Sequence, residues 1–289
     1  MAVYNLNGTE IQNIYNKSGN KISQAYDKSG NPLIGDSVLK VMQYNVGQFY
    51  IGDGNVIPTE LKSTYSTLQT TIFNNHNPDI CLMQESPRIF CADGTLSDDF
   101  LSTWFNQFAS SRGGINYQAH RIATKGYTIS NYQEIEFTHP YGNYPGYETC
   151  TMSINGHNIL FVNTHMTTSQ SEQESQCADI LNAVSNAEYF IICGDFNTVI
   201  SSLSDTDYIN CIKPFVDAGY NTANCGSFGI LSTYYATADP DASYKPATDQ
   251  IIVSSNITIQ DAYVDTTKLT DGIDAKIDHL PLIAELVIN

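Results

Sequence analysis

Strand-like apolar runs that end in polar side chains are the feature of this sequence that most restricts its fold. The clearest is YFIICGDFNT, at positions 189–198, in which an apolar, β-prone run is followed by Gly194, Asp195 and Asn197. Such a run is typical of a strand buried on both faces. Because side chains alternate along an extended chain, Asp195 and Asn197 are expected on one face. The segment therefore predicts a buried strand that delivers a carboxylate and a carboxamide to its C-terminal end.

The same pattern recurs along the chain. Other strand-like runs carry an ionisable or amide side chain at one end: VMQYN at Asn45, ICLMQE at Glu85, ILFVNTH at His165, ATDQIIVSS at Asp249, and KIDHLPL at Asp278 and His279. Taken singly, each side chain has an ordinary structural explanation, such as a turn cap, a loop start or a satisfied core histidine. Together they predict a shared pocket at one edge of a sheet.

Segments with helical periodicity separate these strand-like runs. Apolar spacing predicts helices at 58–76, 97–111 and near 205–218. A further helix is predicted after His165, with an inward face made of Cys177, Ile180, Leu181 and Val184. The segment TCTMSINGHNILFVNTH predicts a β-hairpin about Asn155-Gly156. Strands with interposed helices and a hairpin indicate an α/β protein with mixed sheets covered by helices.

The first part of the chain is organised differently. YNLNG, YNKSG and YDKSG begin at positions 4, 15 and 26, a period of eleven residues. An aromatic residue, an Asn/Asp turn with Gly and a following aliphatic residue predict short β-hairpin units. We expect two domains, an N-terminal repeat region at 1–36 and a catalytic domain at 37–289. The repeats are interpreted as an appendage or tether, or as a module for attachment or self-association.

The charge balance limits the partners of the chain. Thirty acidic residues against 13 basic ones give a net charge of −17. This charge repels polyanions at long range and disfavours tight, salt-driven nucleic-acid binding. It does not exclude a nuclease in which a metal ion supplies positive charge locally.

The sequence also bears on location and redox state. No apolar run approaches the roughly 18 residues of a membrane helix, and the start, MAVYNLNGTEIQ, lacks the features of a secretory signal. The chain has seven cysteines and no C-x-x-C pair, which argues against a structural zinc site or a disulfide framework. We therefore expect a cytoplasmic protein without a transmembrane segment, with secretion left open if a signal has been trimmed.

In their order along the chain, the polar motifs resemble those of the endonuclease/exonuclease/phosphatase superfamily, which includes deoxyribonuclease I and abasic-site endonucleases. The matching positions are Asn45, Gln84-Glu85, Asn163-Thr164-His165, Gly194-Asp195-Phe196-Asn197, Asp249 and Asp278-His279. The resemblance covers about residues 38–289. It implies a four-layer α/β/β/α sandwich of two packed mixed β-sheets flanked by helices, and metal-dependent hydrolysis of phosphoesters.

The chain departs from the family pattern in places. Where members often carry SK and an aromatic residue before the hairpin, this chain has ATKG, from Ala123 to Gly126. Many members have an Arg shortly before the NTH motif, whereas this chain has Glu148 there. Ile277 stands where the closing motif usually has Ser. None of these changes removes a metal ligand, but they leave the substrate class open.

Carboxylate and amide oxygens are the ligands preferred by Mg²⁺ or Mn²⁺. Glu85 is our first choice as ligand, with Asn45 and Asp278 beside it. Asp195 and Asn197 are expected either to hold a second ion or to orient the nucleophilic water and a phosphate oxygen. Zinc held by His165 and His279 is disfavoured, since no Cys joins them and carboxylates dominate.

His279 is the candidate general base, because an imidazole with a pKa near 6.5 suits proton transfer at neutral pH. By the family resemblance its carboxylate partner is Asp249. His165 is then expected on the phosphate side, where it stabilises the transition state or protonates the leaving group.

Three functions remain open on the sequence. The first, which we favour, is a nuclease like deoxyribonuclease I. The second is a phosphatase or phosphodiesterase for small molecules or lipid headgroups, which the acidic balance permits. The third is a catalytically idle domain that binds a partner, against which the retention of every motif position argues.

Overall fold

A computed structural model describes residues 25–26, 32–34, 38–46, 70–86, 101–110, 119–141, 144–234, 246–266 and 279–289. Its strands are β1 (Ala25–Tyr26), β2 (Pro32–Ile34), β3 (Leu39–Asn45), β4 (Ile80–Ser86), β5 (Gln107–Ser110), β6 (Ala119–Thr124), β7 (Ser130–Tyr141), β8 (Tyr144–Ile154), β9 (His157–His165), β10 (Phe190–Ile200), β11 (Asn221–Thr222), β12 (Ala247–Val253), β13 (Ile257–Val264) and β14 (Leu282–Ile288). The helices are α1 (residues 70–76), α2 (Gln170–Val184) and α3 (Lys213–Asp217), with a 3₁₀ turn at Leu101–Thr103 and a π-helical turn at Tyr208–Ile212.

Two six-stranded mixed sheets make up the body of the molecule. One, here the N-sheet, has the order β13-β14-β3-β4-β6-β5, and the other, the C-sheet, has the order β11-β12-β10-β9-β8-β7. Each sheet has one parallel pair at its centre, β3 with β4 and β9 with β10, and antiparallel pairs elsewhere. The carboxyl ends of both parallel pairs carry the polar motifs.

Alternation along the central strands creates three separate apolar layers. One face of each sheet packs against the other sheet, through residues such as Val41 and Leu82 on one side and Phe161 and Ile251 on the other. The outer face of the C-sheet packs under α2 and α3, and the outer face of the N-sheet packs under α1. The predicted α/β/β/α sandwich is therefore confirmed.

The central hairpin forms at the predicted place. β8 and β9 pair without a register shift from Tyr147–Thr164 to Ile154–His157. The turn residues Asn155 and Gly156 have φ angles of 55° and 85°, the left-handed conformations that a two-residue hairpin turn requires. The inward face of α2 also matches the prediction, since Cys177, Ile180 and Val184 are buried.

The helix predicted at 97–111 is wrong over the residues that the structure describes. Only the short 3₁₀ turn at Leu101–Thr103 forms, and residues 107–110 are strand β5, which pairs with β6. Leu101 and Phe105 are buried as expected for a helical stripe. One 3₁₀ turn is enough to bury these two residues. Backbone pairing of residues 107–110 with β6 at the edge of the sheet then outweighs the local helical propensity.

In the N-terminal region, β1 pairs with β2 across the third repeat. The other two repeats lie outside the described residues, and the division at residues 36 and 37 stays a prediction. Among the described residues, no helix is long and apolar enough to cross a membrane. The described cysteines, all buried, carry free thiols: Cys81, Cys150, Cys177, Cys193, Cys211 and Cys225.

Candidate active site

The C-sheet brings three predicted residues into one row. In the strand registers, Asp195 of β10 lies beside His165 of β9 on one side and Asp249 of β12 on the other. All three face the second sheet, on the side shared with the inter-sheet core. The strand continues beyond the predicted apolar run to Ile200. Asp195 is thus a residue within a strand.

Gly194 is required for close packing at this point. A Cβ atom there would lie 2.4 Å from Cγ2 and 2.7 Å from the carbonyl oxygen of Thr164 on the neighbouring strand. Gly194 therefore lets β9 and β10 approach closely just before their functional residues.

The N-sheet supplies the facing residues through an irregular strand end. Asn45 lies at the end of β3, paired in register with Gln84 of β4. In a regular strand Glu85 would point to the opposite face from Gln84. Glu85 instead has a φ angle of 49°, and the pairing of β4 with β6 is irregular between Met83 and Ser86. This local break turns the carboxylate toward Asn45.

Asn45 joins the two sheets by linking two carboxylates. Its Nδ2 atom lies 2.8 Å from Oδ2 of Asp195 and 3.3 Å from Oε1 of Glu85. Nε2 of His165 lies 3.3 Å from the same Asp195 oxygen and 3.8 Å from the same Glu85 oxygen. Glu85 and Asp195 are therefore close neighbours of like charge, a pair that is stabilised by added positive charge.

His279 and Asp249 form a buried pair beside this cluster. Nδ1 of His279 lies 2.8 Å from Oδ2 of Asp249, and the hydroxyl of Thr248 donates to the same oxygen over 2.8 Å. The bond at Nδ1 directs Nε2 of His279 toward Asp195, whose Oδ2 atom is 3.5 Å away. Tyr234 packs edge-on against the imidazole with ring centroids 5.1 Å apart. The geometry is that of an imidazole held in one orientation by a carboxylate.

The charged groups at the centre of the site shift one another's pKa values. Burial favours the neutral form of Asp195, but the charges of His279 and His165 and the hydrogen bonds from His165 and Asn45 outweigh it, so the pKa of Asp195 lies well below its usual range. Burial alone would lower the pKa of His165, but the hydrogen bond and charge of Asp195, together with the charge of Glu85, raise it above the ordinary value. Asp195 is therefore an anion near neutral pH, and its charge favours the protonated form of His165.

The structure thus brings together six of the eight predicted residues: Asn45, Glu85, His165, Asp195, Asp249 and His279. Asn197 follows Asp195 with a φ angle of 51°. Its backbone N–H donates to Oδ1 of Asp195 over 2.7 Å, and its Nδ2 donates to the carbonyl of Met166 over 2.6 Å. Asp278 lies outside the described residues. The individual roles stay predictions.

Sequence reasoning missed neighbours that the fold brings to the site. Thr248 and Tyr234 contact the Asp249–His279 pair, and His120 of β6 lies beside His165 with ring centroids 6.4 Å apart. Burial and the nearby His165 lower the pKa of His120 to about 3. His120 was detectable only as a histidine in a strand, and β6 itself was not predicted. Nothing in the sequence marks Thr248 or Tyr234.

The oxygen atoms of the site suit a hard divalent cation. One donor atom from each of Asp195, Asp249 and His279 lies within 4.8 Å of the other two, but Asp249 and His279 already bond to each other. Glu85 and Asp195 offer a better pair of oxygen donors, because both carboxylates lie against the amide of Asn45, whose Nδ2 faces them. The Glu85 side chain is 21% exposed, against 1% for Asp195, so solvent can reach the Glu85 carboxylate. These residues fit Mg²⁺ or Mn²⁺.

Comparison with solved structures identifies the fold. The catalytic domain of human Nocturnin with a bound sulfate anion matches with a TM-score of 0.64 and 16% identity, over 87% of this chain and 94% of that chain. Zebrafish (D. rerio) TDP2 complexed with single-strand DNA product matches with a TM-score of 0.64 and 14% identity, over 86% and 99%. An endonuclease/exonuclease/phosphatase from Bacteroides vulgatus matches with a TM-score of 0.66 and 14% identity, over 88% and 100%.

No family model and no curated protein sequence matches the chain. The structural matches nevertheless span nearly the whole length of the proteins concerned. At these identities they establish the fold, which is the one expected from the sequence motifs. The chain has the endonuclease/exonuclease/phosphatase fold.

Proposed function

We propose that this chain is a divalent-metal-dependent phosphodiesterase that cleaves nucleic acid. The observation that carries the proposal is the meeting of the Asp249–His279 pair with Asn45, Glu85, His165 and Asp195 at one edge of two packed sheets. A phosphodiester resists attack because its negative charge repels the nucleophile. An enzyme must neutralise that charge, position a water molecule and protonate the leaving oxygen.

His279 activates the water in this proposal. Its Nδ1–H is held by Asp249, so Nε2 carries the lone pair that accepts a proton. Asp195 lies 3.5 Å from that nitrogen and, as a carboxylate with a low pKa, accepts a hydrogen bond from the same water. Asp249 stabilises the imidazolium that forms.

His165 acts on the phosphate side. Its raised pKa favours the protonated form, a cationic donor suited to a phosphate oxygen or to the departing oxygen. Asn197, whose Nδ2 donates to the carbonyl of Met166, the residue after His165, is assigned to a phosphate oxygen.

Glu85 and Asn45 are the proposed ligands of Mg²⁺ or Mn²⁺, together with Asp278. When bound, the cation would neutralise charge on the phosphate. Asp195 and Asn197 are the alternative holders of a second ion.

Nucleic acid is the favoured substrate because solved relatives of this fold include TDP2 with single-strand DNA product. A small or lipid-headgroup phosphodiester is the second candidate, and a specific observation supports it. The described lysines lie close to acidic groups: Lys40 pairs with Glu285, Lys213 pairs with Asp217, and Lys125 lies near Asp79. Arg121 is buried. The described residues therefore supply no basic track for a polyanion.

Plasmid nicking in Mg²⁺, run beside hydrolysis of bis-p-nitrophenyl phosphate and of sphingomyelin, tests the proposal. We expect Glu85→Ala and His279→Ala each to reduce the activity by roughly 10²- to 10⁴-fold, and EDTA to abolish it. His157→Ala is the matched control, because His157 lies at the opposite end of β9 from His165, against Tyr189. The proposed mechanism fails if either site variant retains wild-type activity. Absence of all hydrolysis would favour a partner-binding domain.

A further inference from the structure

A layer of buried amides lies directly beneath the candidate site. Gln43, Gln84 and Asn163 are each 0% exposed, and they face one another from the two sheets. Each is within two residues of a site residue along its strand: Gln43 of Asn45, Gln84 of Glu85, and Asn163 of His165. The layer separates the site from the apolar inter-sheet core.

The first contact of this layer is with Asp249. Oδ2 of Asp249 accepts from His279 and Thr248, while its other oxygen, Oδ1, accepts from Nε2 of Gln43 over 2.9 Å. The carboxylate, which is 0% exposed, is therefore held at both oxygens. Its plane fixes the direction in which the His279 imidazole points.

Gln43 is itself fixed in one orientation. Its Nε2 donates to Oε1 of Gln84 over 2.5 Å as well as to Asp249, and its Oε1 accepts from Nε2 of Gln84 over 2.9 Å. An amide nitrogen has two hydrogens, so both donors of Gln43 are used. Rotating the amide by half a turn would place its oxygen against the Asp249 carboxylate.

Gln84 and Asn163 extend the chain of amides across the sheets. Nε2 of Gln84 donates to Oδ1 of Asn163 over 2.7 Å. Nδ2 of Asn163 lies 3.1 and 3.2 Å from the backbone carbonyls of Met83 and Arg121 and 3.4 Å from a carboxylate oxygen of Glu148, so three acceptors share its two hydrogens. Glu148 also accepts from the hydroxyl of Tyr132 over 3.0 Å. A continuous chain of hydrogen-bonded amides therefore runs from the carboxylate of Asp249 to that of Glu148.

We propose that Gln43 is a positioning residue that holds the Asp249–His279 pair in its working orientation, and that Gln84 and Asn163 brace it. This inference rests on the proposed function for its kinetic consequence, but its structural content concerns the hydrogen bond between His279 and Asp249. Gln43 does not touch the reacting groups. Its effect is on the step that uses the imidazole, not on substrate binding.

The test compares Gln43→Met, which keeps the length of the side chain and removes the amide, with Gln250→Met. Gln250 is also 0% exposed and is next to Asp249 on β12. Its amide faces Cys225, on the other side of the strand, so it is a matched control for loss of a buried amide. We expect Gln43→Met to lower kcat by about 10- to 100-fold with KM within twofold, and Gln250→Met to leave both within twofold.

Proton NMR supplies a readout that does not need activity. The Nδ1–H of His279 bonded to Asp249 should give a downfield resonance, identified by its absence in His279→Ala. His76, whose Nε2 lies 2.6 Å from Asp265, gives an internal reference away from Gln43. In Gln43→Met we expect the His279 resonance to shift or broaden while that of His76 is unchanged.

The inference is overturned if Gln43→Met folds and keeps both the His279 resonance and a kcat within twofold of wild type, or if Gln250→Met has equal effects. If Gln43→Met does not fold, Gln84→Met serves instead, with the same changes expected at smaller size and the same results overturning the inference. If wild type hydrolyses no diester, the proposed function fails, and the resonance alone decides the role of Gln43.

Discussion

Asp195 shows how a single residue organises this site. Its Oδ2 atom faces Asn45, His165 and His279, while its Oδ1 accepts the backbone N–H of Asn197. The hydrogen bonds from Asn45 and Asn197 and the neighbouring imidazoles favour the anionic form of this buried carboxylate. The two imidazoles are thereby given different partners, since His279 is anchored on Asp249 and His165 on Asp195.

The raised pKa of His165 predicts a pH-dependent contribution to stability. Because the folded pKa lies above the unfolded value of about 6.5, this contribution is fully present below pH 6.5 and is lost as pH rises through the folded pKa. His165→Gln should therefore lower the free energy of unfolding more at pH 6 than at pH 9. Urea unfolding of both proteins in EDTA, from pH 5.5 to 9, measures the difference.

The control is His157→Gln, at the opposite end of the same strand, where the imidazole packs against Tyr189; the pH trend is assigned to His165 only if this variant does not reproduce it. A difference between wild type and His165→Gln that is constant across this range, or that grows with pH, would contradict the assignment of a raised pKa.

Site residues could be predicted when they belong to a recognisable local sequence motif. Asp195 comes just after an apolar run in the sequence, and His279 just before one, so both could be identified from sequence. Gln43 and Thr248 could not, because a glutamine or threonine in a strand has many ordinary places in a fold. Their role depends on their hydrogen bonds to Asp249, which lies 206 residues away from Gln43 in the chain.

At the scale of elements, the site depends on two irregularities in otherwise regular strands. Glu85 leaves the strand conformation at the end of β4, and Gly194 allows close contact between β9 and β10. The first redirects a carboxylate, and the second sets the distance between His165 and Asp195. Alternation alone would have placed Glu85 on the wrong face.

Gly194→Ala tests the second irregularity. The added methyl group would overlap both the side chain and the carbonyl of Thr164, so we expect a loss of about 1–3 kcal/mol in the free energy of unfolding. The shift of β10 should also reduce kcat, because Asp195 is the next residue. Urea unfolding and steady-state kinetics on a small diester measure the two effects.

Thr164→Ser combined with Gly194→Ala provides the internal check, because it removes the Cγ2 atom and leaves the carbonyl. The double variant should recover part of the lost stability but not all of it. Full stability in Gly194→Ala alone would show that the strands are not held at this spacing.

Strands with long apolar runs were predicted, whereas the edge strands β5 and β7 were not. β3, β4, β9 and β10 are central and buried, so their sequences carry a strong pattern. β5 and β7 are edge strands, and the exposed, polar face of β7 weakens any such signal. The helix predicted at 97–111 failed for a related reason, since β5 is stabilised by pairing with β6, which no local pattern reports.

At the scale of the whole molecule, a net charge of −17 surrounds a site that is proposed to accept an anion. The three lysines within the described residues lie beside acidic groups, so they do little to offset this field there. Attraction of the substrate must then arise locally, from the site itself. The long-range field opposes approach by an amount that grows with the charge of the substrate.

This opposition predicts an unusual response to salt. Proteins that bind nucleic acid through basic surfaces lose affinity as salt rises, but here added salt screens a repulsion. Between 20 and 150 mM KCl, at fixed Mg²⁺, we expect kcat/KM for an oligonucleotide to rise by roughly two- to tenfold. The value for bis-p-nitrophenyl phosphate, which carries one negative charge, should change by less than twofold.

Initial rates for both substrates over the same salt series measure the contrast, and wild type and His157→Ala should give parallel curves. A steep fall in kcat/KM for the oligonucleotide would show that a basic surface guides it. That outcome would place the attracting charges among residues such as Arg88, Lys245 and Lys276, which lie outside the described ranges. Equal responses of the two substrates would show that the field of the molecule does not reach the site, and that the local charges of Glu85, Asp195 and His165 govern substrate approach.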